Sequence, residues 1–496
     1  MQKIWVNMSV NNTLNIAYNV TSVFVASIPK KERKKYGQFF TSQKTAEFMA
    51  SLFTLDFSKP KLRLLDAGAG TGLLTTALAE RLRDSGYKGQ IYAVCYENDP
   101  KVLPTLTENL EHLKKALNIN YEIRIDNYLT SQNFVCADLF KKEAEEFDMI
   151  IGNPPYLKIA KDAPEALAMP EVCYGSPNLY FLFWAMGINN LKDGQEMVYI
   201  IPRSWTSGAY FERFRKFLFQ HCVITNIHIF GSRDKVFDGE SVLQETMIIK
   251  VKKTREKPQY IKMSSSETSD FTDIKYFDVD YSTIVAPNHF VFLVTSQGEA
   301  EILSRVNSQS NTLDSNDLRM RTGLIVDFRT REVLRDSDED GSFPLFYSHH
   351  IKNGRVQWPT GRESEYIVTD KSGYLQENTD YLFVKRFTSK EEKRRLQCGI
   401  YLKADHSEYK YISTQNKINY IKCDTPELAY GLYVLLNSTL YDAYYRILNG
   451  STQVNSTEIN LMPVPSKDAI REMGRELIGM ELTEQNCDKI IDRWIR

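Results

Sequence analysis

Little in this sequence marks it for the cell exterior or for a membrane. Its seven cysteines (Cys95, Cys136, Cys173, Cys222, Cys398, Cys423 and Cys487) are odd in number, scattered and never spaced as C-x-x-C, which excludes a disulfide framework and a zinc ribbon. No run approaches the roughly 18 uninterrupted apolar residues of a membrane span. The N-terminus MQKIWVNMSVNNTLN lacks the charged-then-apolar build of a signal peptide. The expectation is a soluble protein of a reducing cytosol. Charge of one sign is missing too: 62 Lys and Arg against 63 Asp and Glu leave a net charge of −1, which excludes a uniformly basic DNA-coating protein. No repeat of about 20–50 residues is visible, so a solenoid or propeller is disfavoured.

What the chain does have is length and apolar content. Its 496 residues are 42% hydrophobic and 12% aromatic, enough for two large domains or three smaller ones with their own cores. A helical arm is expected over 1–35, ending in the charged run Lys30–Lys35. From 36 to 255 short apolar runs alternate with segments of helical period, the pattern of βαβ units. Strands are expected at 62–67, 90–97, 133–137, 147–152, 197–201, 223–230 and 246–251, and helices at 73–84, 100–116, 178–191 and 209–220. The last two strands are too close for a crossover helix, so an antiparallel edge pair is expected there. The polar stretch within 256–285 reads as a linker, and 286–496 as a second, loop-rich domain.

The segment Asp66-Ala67-Gly68-Ala69-Gly70-Thr71-Gly72 puts three glycines at alternate positions between an apolar strand and an amphipathic helix. Glycines there let the backbone turn tightly beside a ligand at a helix N-terminus. The spacing is not G-x-G-x-x-G, and Asp66 would repel a pyrophosphate while welcoming an ammonium. The next strand ends Tyr96-Glu97-Asn98-Asp99-Pro100, with a carboxylate where ribose hydroxyls can be held. Asp138 and Leu139 close a third strand. Together they outline a cationic adenosine ligand.

A fourth strand ends Asn153-Pro154-Pro155-Tyr156. The order GQFFTS (37–42), LLDAGAGTG (64–72), YENDP (96–100), ADLF (137–140) and NPPY (153–156) resembles the gamma-class DNA adenine N6-methyltransferases of type II restriction–modification systems. The likeness continues through TGLIVDFRTRE (322–332), YLFVKRFTSKEEKRR (381–395) and STQVNSTEINLMPVP (451–465), which look like target-recognition segments. The resemblance implies an α/β, Rossmann-like methyltransferase domain with a mostly parallel seven-stranded sheet, followed by a mixed target-recognition domain. It implies S-adenosyl-L-methionine as cofactor and no metal. Phe40 and Thr41 would contact its methionine part, Asp66 its ammonium, Gly68, Gly70 and Gly72 would form the turn beside it, Glu97 would hold the ribose hydroxyls, Asp138 the adenine amine and Leu139 the adenine face, with Asn98 and Asn153 also among the cofactor contacts. Ser42 departs from the pattern, where a proline often follows the threonine.

The resemblance also implies a mechanism. The exocyclic amine of adenine is a poor nucleophile because its lone pair is delocalised into the ring. The Asn153 side-chain oxygen and the Pro154 carbonyl would accept its two N–H bonds, Pro155 would fix the backbone, and Tyr156 would stack on the flipped base. An aromatic on the other face of that base is expected near Phe271. Between Lys385 and Lys422 stand ten basic and four acidic residues. Lys385, Arg386, Arg394 and Arg395, with the polar loop of Asn449 and Ser451, are the expected DNA contacts. The implied partners are double-stranded DNA and a separate cognate restriction endonuclease, with a monomer acting in the prokaryotic cytoplasm and CTGCAG among the sequences that branch recognises. NPPY also serves enzymes that methylate RNA adenine or protein glutamine, and a non-catalytic DNA-binding protein is a further alternative. No nuclease constellation of the PD…(D/E)xK kind is visible.

Overall fold

The run KLRLLDA forms β1 (Lys61–Ala67), whose last four residues are all buried in the middle of a nine-stranded sheet. The computed structural model describes residues 12–29, 40–132, 145–231, 246–389, 392–448 and 453–495. The expected strand at 133–137 lies outside them. The other strands of this sheet are β2 (Gln90–Tyr96), β3 (Asn120–Arg124), β4 (Phe147–Gly152), β5 (Leu191–Pro202), β6 (Val223–Phe230), β7 (Thr246–Lys252), β8 (Tyr260–Ser266) and β9 (Lys275–Asp280), in the order β3-β2-β1-β4-β5-β7-β6-β8-β9. From β3 to β5 all neighbours are parallel, and β7 runs antiparallel to both β5 and β6. The α/β class and the antiparallel pair are as the sequence led one to expect. The chain leaves β1 toward β2 and β3, then returns to β4 on the other flank. Such a reversal opens a crevice at the carboxyl ends of β1 and β4.

Among the described residues, six helices of nine residues or more cover this sheet or precede it: α1 (Thr13–Ser27), α2 (Gln43–Ser51), α3 (Leu73–Asp84), α4 (Leu103–Leu117), α5 (Leu179–Asn190) and α6 (Glu212–His221). Two cations in the last turn of α3 suit its dipole and also fasten its neighbours. Arg81 donates to the carbonyls of Ala50 and Phe53, and Arg83 to that of Leu117. The helix α1, within the expected arm, is tied to the sheet's own helices. The Leu14 N–H donates to buried Glu80 (2.8 Å), and the Thr21 hydroxyl to Thr71 (2.8 Å).

The stretch read as a linker instead supplies β8 and β9, so the sheet continues beyond the expected pair. Its serines are polar in sequence but face inward. Ser264 and Ser266 bracket the two ring nitrogens of His228 on β6 at 2.9 and 3.1 Å. Burial pushes that imidazole down to about 3, so it is neutral, and the rings of Phe48, Phe230 and Phe271 surround it.

The chain divides into two compact units, 1–296 and 297–496. The second holds a six-stranded and a five-stranded sheet, built largely from strands of two to six residues, and the helices Pro426–Asn437, Thr439–Leu448, Lys467–Leu477 and Glu484–Trp494. Among the described residues no helix is long and apolar enough to cross a membrane.

Candidate active site

At the carboxyl ends of β1 and β4 lies a cavity of about 550 Å³, lined by Phe40, Thr41, residues 68–71, 96–102 and 126–128, and by Asn153, Pro155 and Phe183. That volume is within the range of small-molecule and cofactor pockets, roughly 300–1,000 Å³. The glycine turn forms one wall. Gly68, Gly70 and Gly72 have φ of +76°, +57° and +80°, where a side chain is strained. The Gly68 and Ala69 N–H groups share the Tyr96 carbonyl (2.9 and 2.8 Å). Gly72 has a different duty: it starts α3, away from the cavity wall, and a Cβ there would lie 2.9 Å from Leu106 on α4.

Glu97 ties the second loop to the first. Its carboxylate accepts from Gly70 N–H (3.0 Å) and from Asp99 N–H (2.8 Å), and burial still raises its pKa above the usual glutamate range. Asn98 lines the same wall. Asp66 stands behind the turn, 2% exposed and off the cavity wall. One oxygen accepts from the Thr75 hydroxyl (2.8 Å), while Oδ1 is buried without a hydrogen-bond partner. Burial pushes this carboxyl up to about 7.

The Asn153–Tyr156 turn closes the far side. Pairing of β4 with β5 ends at Gly152, which leaves Asn153 and Pro154 outside the ladder. The Asn153 amide donates to the Thr41 hydroxyl (3.2 Å), and its oxygen accepts from the Tyr156 hydroxyl (2.9 Å), which also reaches the Ile200 carbonyl (3.0 Å). Pro154 is buried, Pro155 faces Gly68, and the Tyr156 ring meets Tyr180 edge-on at 6.3 Å. Ser42 needs no proline beside Thr41, because its hydroxyl caps α2 by accepting from Thr45 N–H (3.2 Å).

Thus Phe40, Thr41, Gly68, Gly70, Glu97, Asn98, Asn153 and Pro155 share one cavity. Asp138 and Leu139 lie outside the described residues. Sequence reading missed the loop after β3. Asp126 is exposed there, Asn127 donates to Glu165 (2.8 Å), and Tyr128 packs against Tyr96 and Phe183. The strand NYEIR is half-buried and polar, so it offered no apolar run; the alternation Tyr121, Ile123, Ile125 was the available signal. Phe271 is not on the cavity wall: it stacks on Phe48 at 4.5 Å within the core of the sheet.

The expected DNA contacts separate. Lys385 and Arg386 are partly exposed. Arg394 is committed to the Ser438 carbonyl (3.0 Å) and Glu484 (3.4 Å). Arg395 is a correction, because it is wholly buried, donates to Thr388 (3.2 Å) and lies over the Tyr445 ring at 5.7 Å. Basic residues in sequence do not reveal which of them are walled in by aromatics. Arg395→Ala should therefore lower stability by about 2–4 kcal/mol. It should leave the salt dependence of DNA binding unchanged, which thermal unfolding and binding titrations would separate. Asn449 and Ser451 lie outside the described residues.

Among the described residues one cluster has metal-ligand composition, His349, His350 and Glu365 in the second unit. The Tyr347 N–H points at His350 Nδ1 (3.0 Å), which places the ring proton on Nε2, facing Glu365 at 2.7 Å. Thr360 and Gly361 N–H groups complete the carboxylate. That tautomer builds a hydrogen-bonded brace and leaves His350 no lone pair toward an ion.

The Eco57I restriction-modification methylase family matches residues 70–237. Type II methyltransferase M.BsuBI of Bacillus subtilis is 35% identical over 461 residues, covering 90% of this chain and 91% of that protein. Type II methyltransferase M.PstI of Providencia stuartii is 33% identical over 476 residues, 93% of each chain. The release factor glutamine methyltransferase of Fusobacterium nucleatum is 32% identical over 111 residues, only 22% of this chain.

Proposed function

Because the chain belongs to the type II methyltransferases of restriction–modification systems, we propose that it transfers a methyl group to the N6 amine of a flipped-out adenine in duplex DNA, protecting that DNA from a cognate restriction endonuclease. The observation that carries this reading is the Asn153–Tyr156 turn, held outside the β ladder at the rim of a glycine-walled cavity. S-adenosyl-L-methionine supplies a sulfonium methyl as the electrophile. The cavity suits it: the glycine turn offers a wall without side chains, Glu97 an acceptor for ribose hydroxyls, and the orphaned Asp66 oxygen a negative charge behind the methionine end. Asp126 or Asn127, with Asp138, would take the adenine edge, and Leu139 its face.

The Asn153 oxygen and the Pro154 carbonyl accept the two N–H bonds of the target amine. This localises the nitrogen lone pair toward the methyl carbon. The C–N bond forms as the C–S bond breaks, and the amine proton leaves to solvent. Rate enhancement comes from position and fixed dipoles, with no strong base required. Labelled S-adenosyl-L-methionine offered with duplex DNA, RNA and a protein lysate tests the reading, using CTGCAG as the first duplex. N6-methyladenine in the DNA is the expected product; label confined to RNA or protein, or found on cytosine, overturns it.

Asp66 gives this site a pH dependence. Its carboxyl is held at about 7, so it is mostly neutral near pH ~6 and ionised near pH ~8. A cationic ligand favours the ionised form, so affinity should rise with pH across that window, with proton release on binding. By the same linkage the unliganded fold loses stability as pH rises from the ordinary value of 3.8 toward 7, since the native state holds the proton longer. Asp66→Asn should flatten both profiles, as read by calorimetry in buffers of different ionisation enthalpy and by thermal melts.

A further inference from the structure

Four segments distant in sequence meet along one seam of the second unit. The Gly323 N–H donates to the Ile418 carbonyl (2.8 Å), those of Leu324 and Ile325 to Thr414 (2.7 and 3.0 Å), and Asn416 N–H returns to Ile325 (2.8 Å). A Cβ on Gly323 would lie 2.2 Å from the Gln415 carbonyl oxygen, so only glycine allows this approach. Arg386 N–H donates to Lys417 (2.9 Å), its guanidinium to the Asn416 carbonyl (3.1 Å), and Val454 N–H closes onto Arg386 (2.7 Å). Asn419 joins the outer segments, donating to the Val454 carbonyl (2.7 Å) and accepting from the Thr322 hydroxyl (3.0 Å). The seam thus uses up much of its own backbone hydrogen bonding.

Its side chains are what remains for a partner. Phe328 is 69% exposed and Phe387 47%, and these are the exposed phenylalanines among the described residues of this unit. Each has an arginine at its ring, Arg329 at 5.3 Å and Arg386 at 5.6 Å. Segments 322–329, 385–388, 414–419 and 453–455 carry four cations and one acid, Asp327, which accepts from the Gln415 amide (3.1 Å). Lys385, Lys417 and Arg329 form no ion pair among the described residues, and the Asn416 carboxamide makes no hydrogen bond among them. Several cations away from the seam are neutralised, Lys393 and Arg394 by Glu484, Lys422 by Glu377, and Arg446 by Asp442.

Unpaired cations call for a polyanion, a free carboxamide for base edges, and exposed aromatics for the apolar atoms of a groove. We infer that this seam is the surface through which the chain reads duplex DNA: Lys385, Arg329 and Lys417 on phosphates, Asn416 on base edges, Phe328 and Phe387 on apolar groove atoms. The inference rests on the proposed DNA methyl transfer and adds where the sequence is read.

The test uses the full chain with an unmethylated target duplex and a scrambled duplex. The double variant Phe328→Ala/Phe387→Ala should raise the KM for DNA at least ~10-fold with the KM for S-adenosyl-L-methionine unchanged. Its Tm should hold, because both rings are exposed. Asn416→Ala should cut the preference for target over scrambled duplex about 10-fold. Lys417→Ala should weaken both duplexes alike and reduce the slope of log affinity against log salt by about 1. If the native chain methylates DNA and these variants match it, the seam is overturned while the DNA reading stands. If the native chain labels no duplex at all, both fall.

Discussion

Asn153→Ala is expected to lower the rate of methyl transfer by about 10²–10³-fold or more while cofactor affinity stays within a few-fold. The expectation follows from what the side chain does in the free protein. Its amide is held between two hydroxyls, donating to Thr41 (3.2 Å) and accepting from Tyr156 (2.9 Å), so its carbonyl oxygen has a defined direction at the rim of the cavity. Fixed dipoles of this sort contribute where charge develops, because they need no reorganisation when the substrate reacts. The adenine amine has no other side-chain acceptor in the motif, and the Pro154 carbonyl alone cannot hold both of its N–H bonds. Alanine removes the acceptor but leaves the glycine turn, Glu97 and Asn98 as they are. Single-turnover label transfer at saturating cofactor, with affinity read separately by calorimetry, distinguishes the two effects. A retained rate would remove Asn153 from the mechanism. Tyr156→Phe keeps the ring and loses the hydroxyl that orients Asn153 and reaches the Ile200 carbonyl, so a smaller loss, about 10-fold, is expected in the same assay.

The parts of this site that were legible in the sequence are those whose chemistry is contiguous. The glycine turn, Glu97 and the Asn153–Tyr156 turn each follow an apolar strand, so their places at one sheet edge could be read from order alone. Strand β3 was not legible because its five residues are half-buried and polar, and the loop it delivers, Asp126–Tyr128, went unseen with it. Strand β8 was hidden for a related reason: Ser264 and Ser266 look like linker residues until His228 is found between them. Arg395 failed in the opposite sense. A basic run suggests a surface, yet the positions of Thr388, Asp442 and Tyr445 decide which arginine is enclosed, and those arrive from distant segments. The seam around Asn416 is likewise made of long-range backbone bonds that no local pattern announces.

Glu97→Ala is expected to weaken S-adenosyl-L-methionine binding by about 10²-fold or more, with much of the transfer rate recovered at saturating cofactor. Two charge-assisted bonds to backbone N–H groups, each worth about 1.5–3 kcal/mol, disappear together. One of them reaches Gly70 across 27 positions in sequence, so the loss loosens the first loop as well as the second. The same carboxylate would also accept the ribose hydroxyls, and alanine offers them nothing. Glu97→Gln keeps an acceptor oxygen but loses the charge and presents an N–H to one of its two donors, so an intermediate loss is expected. The group's raised pKa sets the direction with acid: Glu97 takes up a proton at higher pH than an ordinary glutamate, so affinity in the native protein should fall as pH drops toward the carboxylate range. The falling acid limb should vanish in Glu97→Ala, whereas the rise set by Asp66 should persist there, moved to lower pH because the Glu97 charge helps raise Asp66, and disappear only in Asp66→Asn. Two separable pH effects in one cavity require two carboxyl groups with different partners: one tied to the glycine turn by backbone donors, the other buried behind it with an oxygen unmet. If both limbs vanish together in either variant, the two carboxyls act as one group and do not have separate roles.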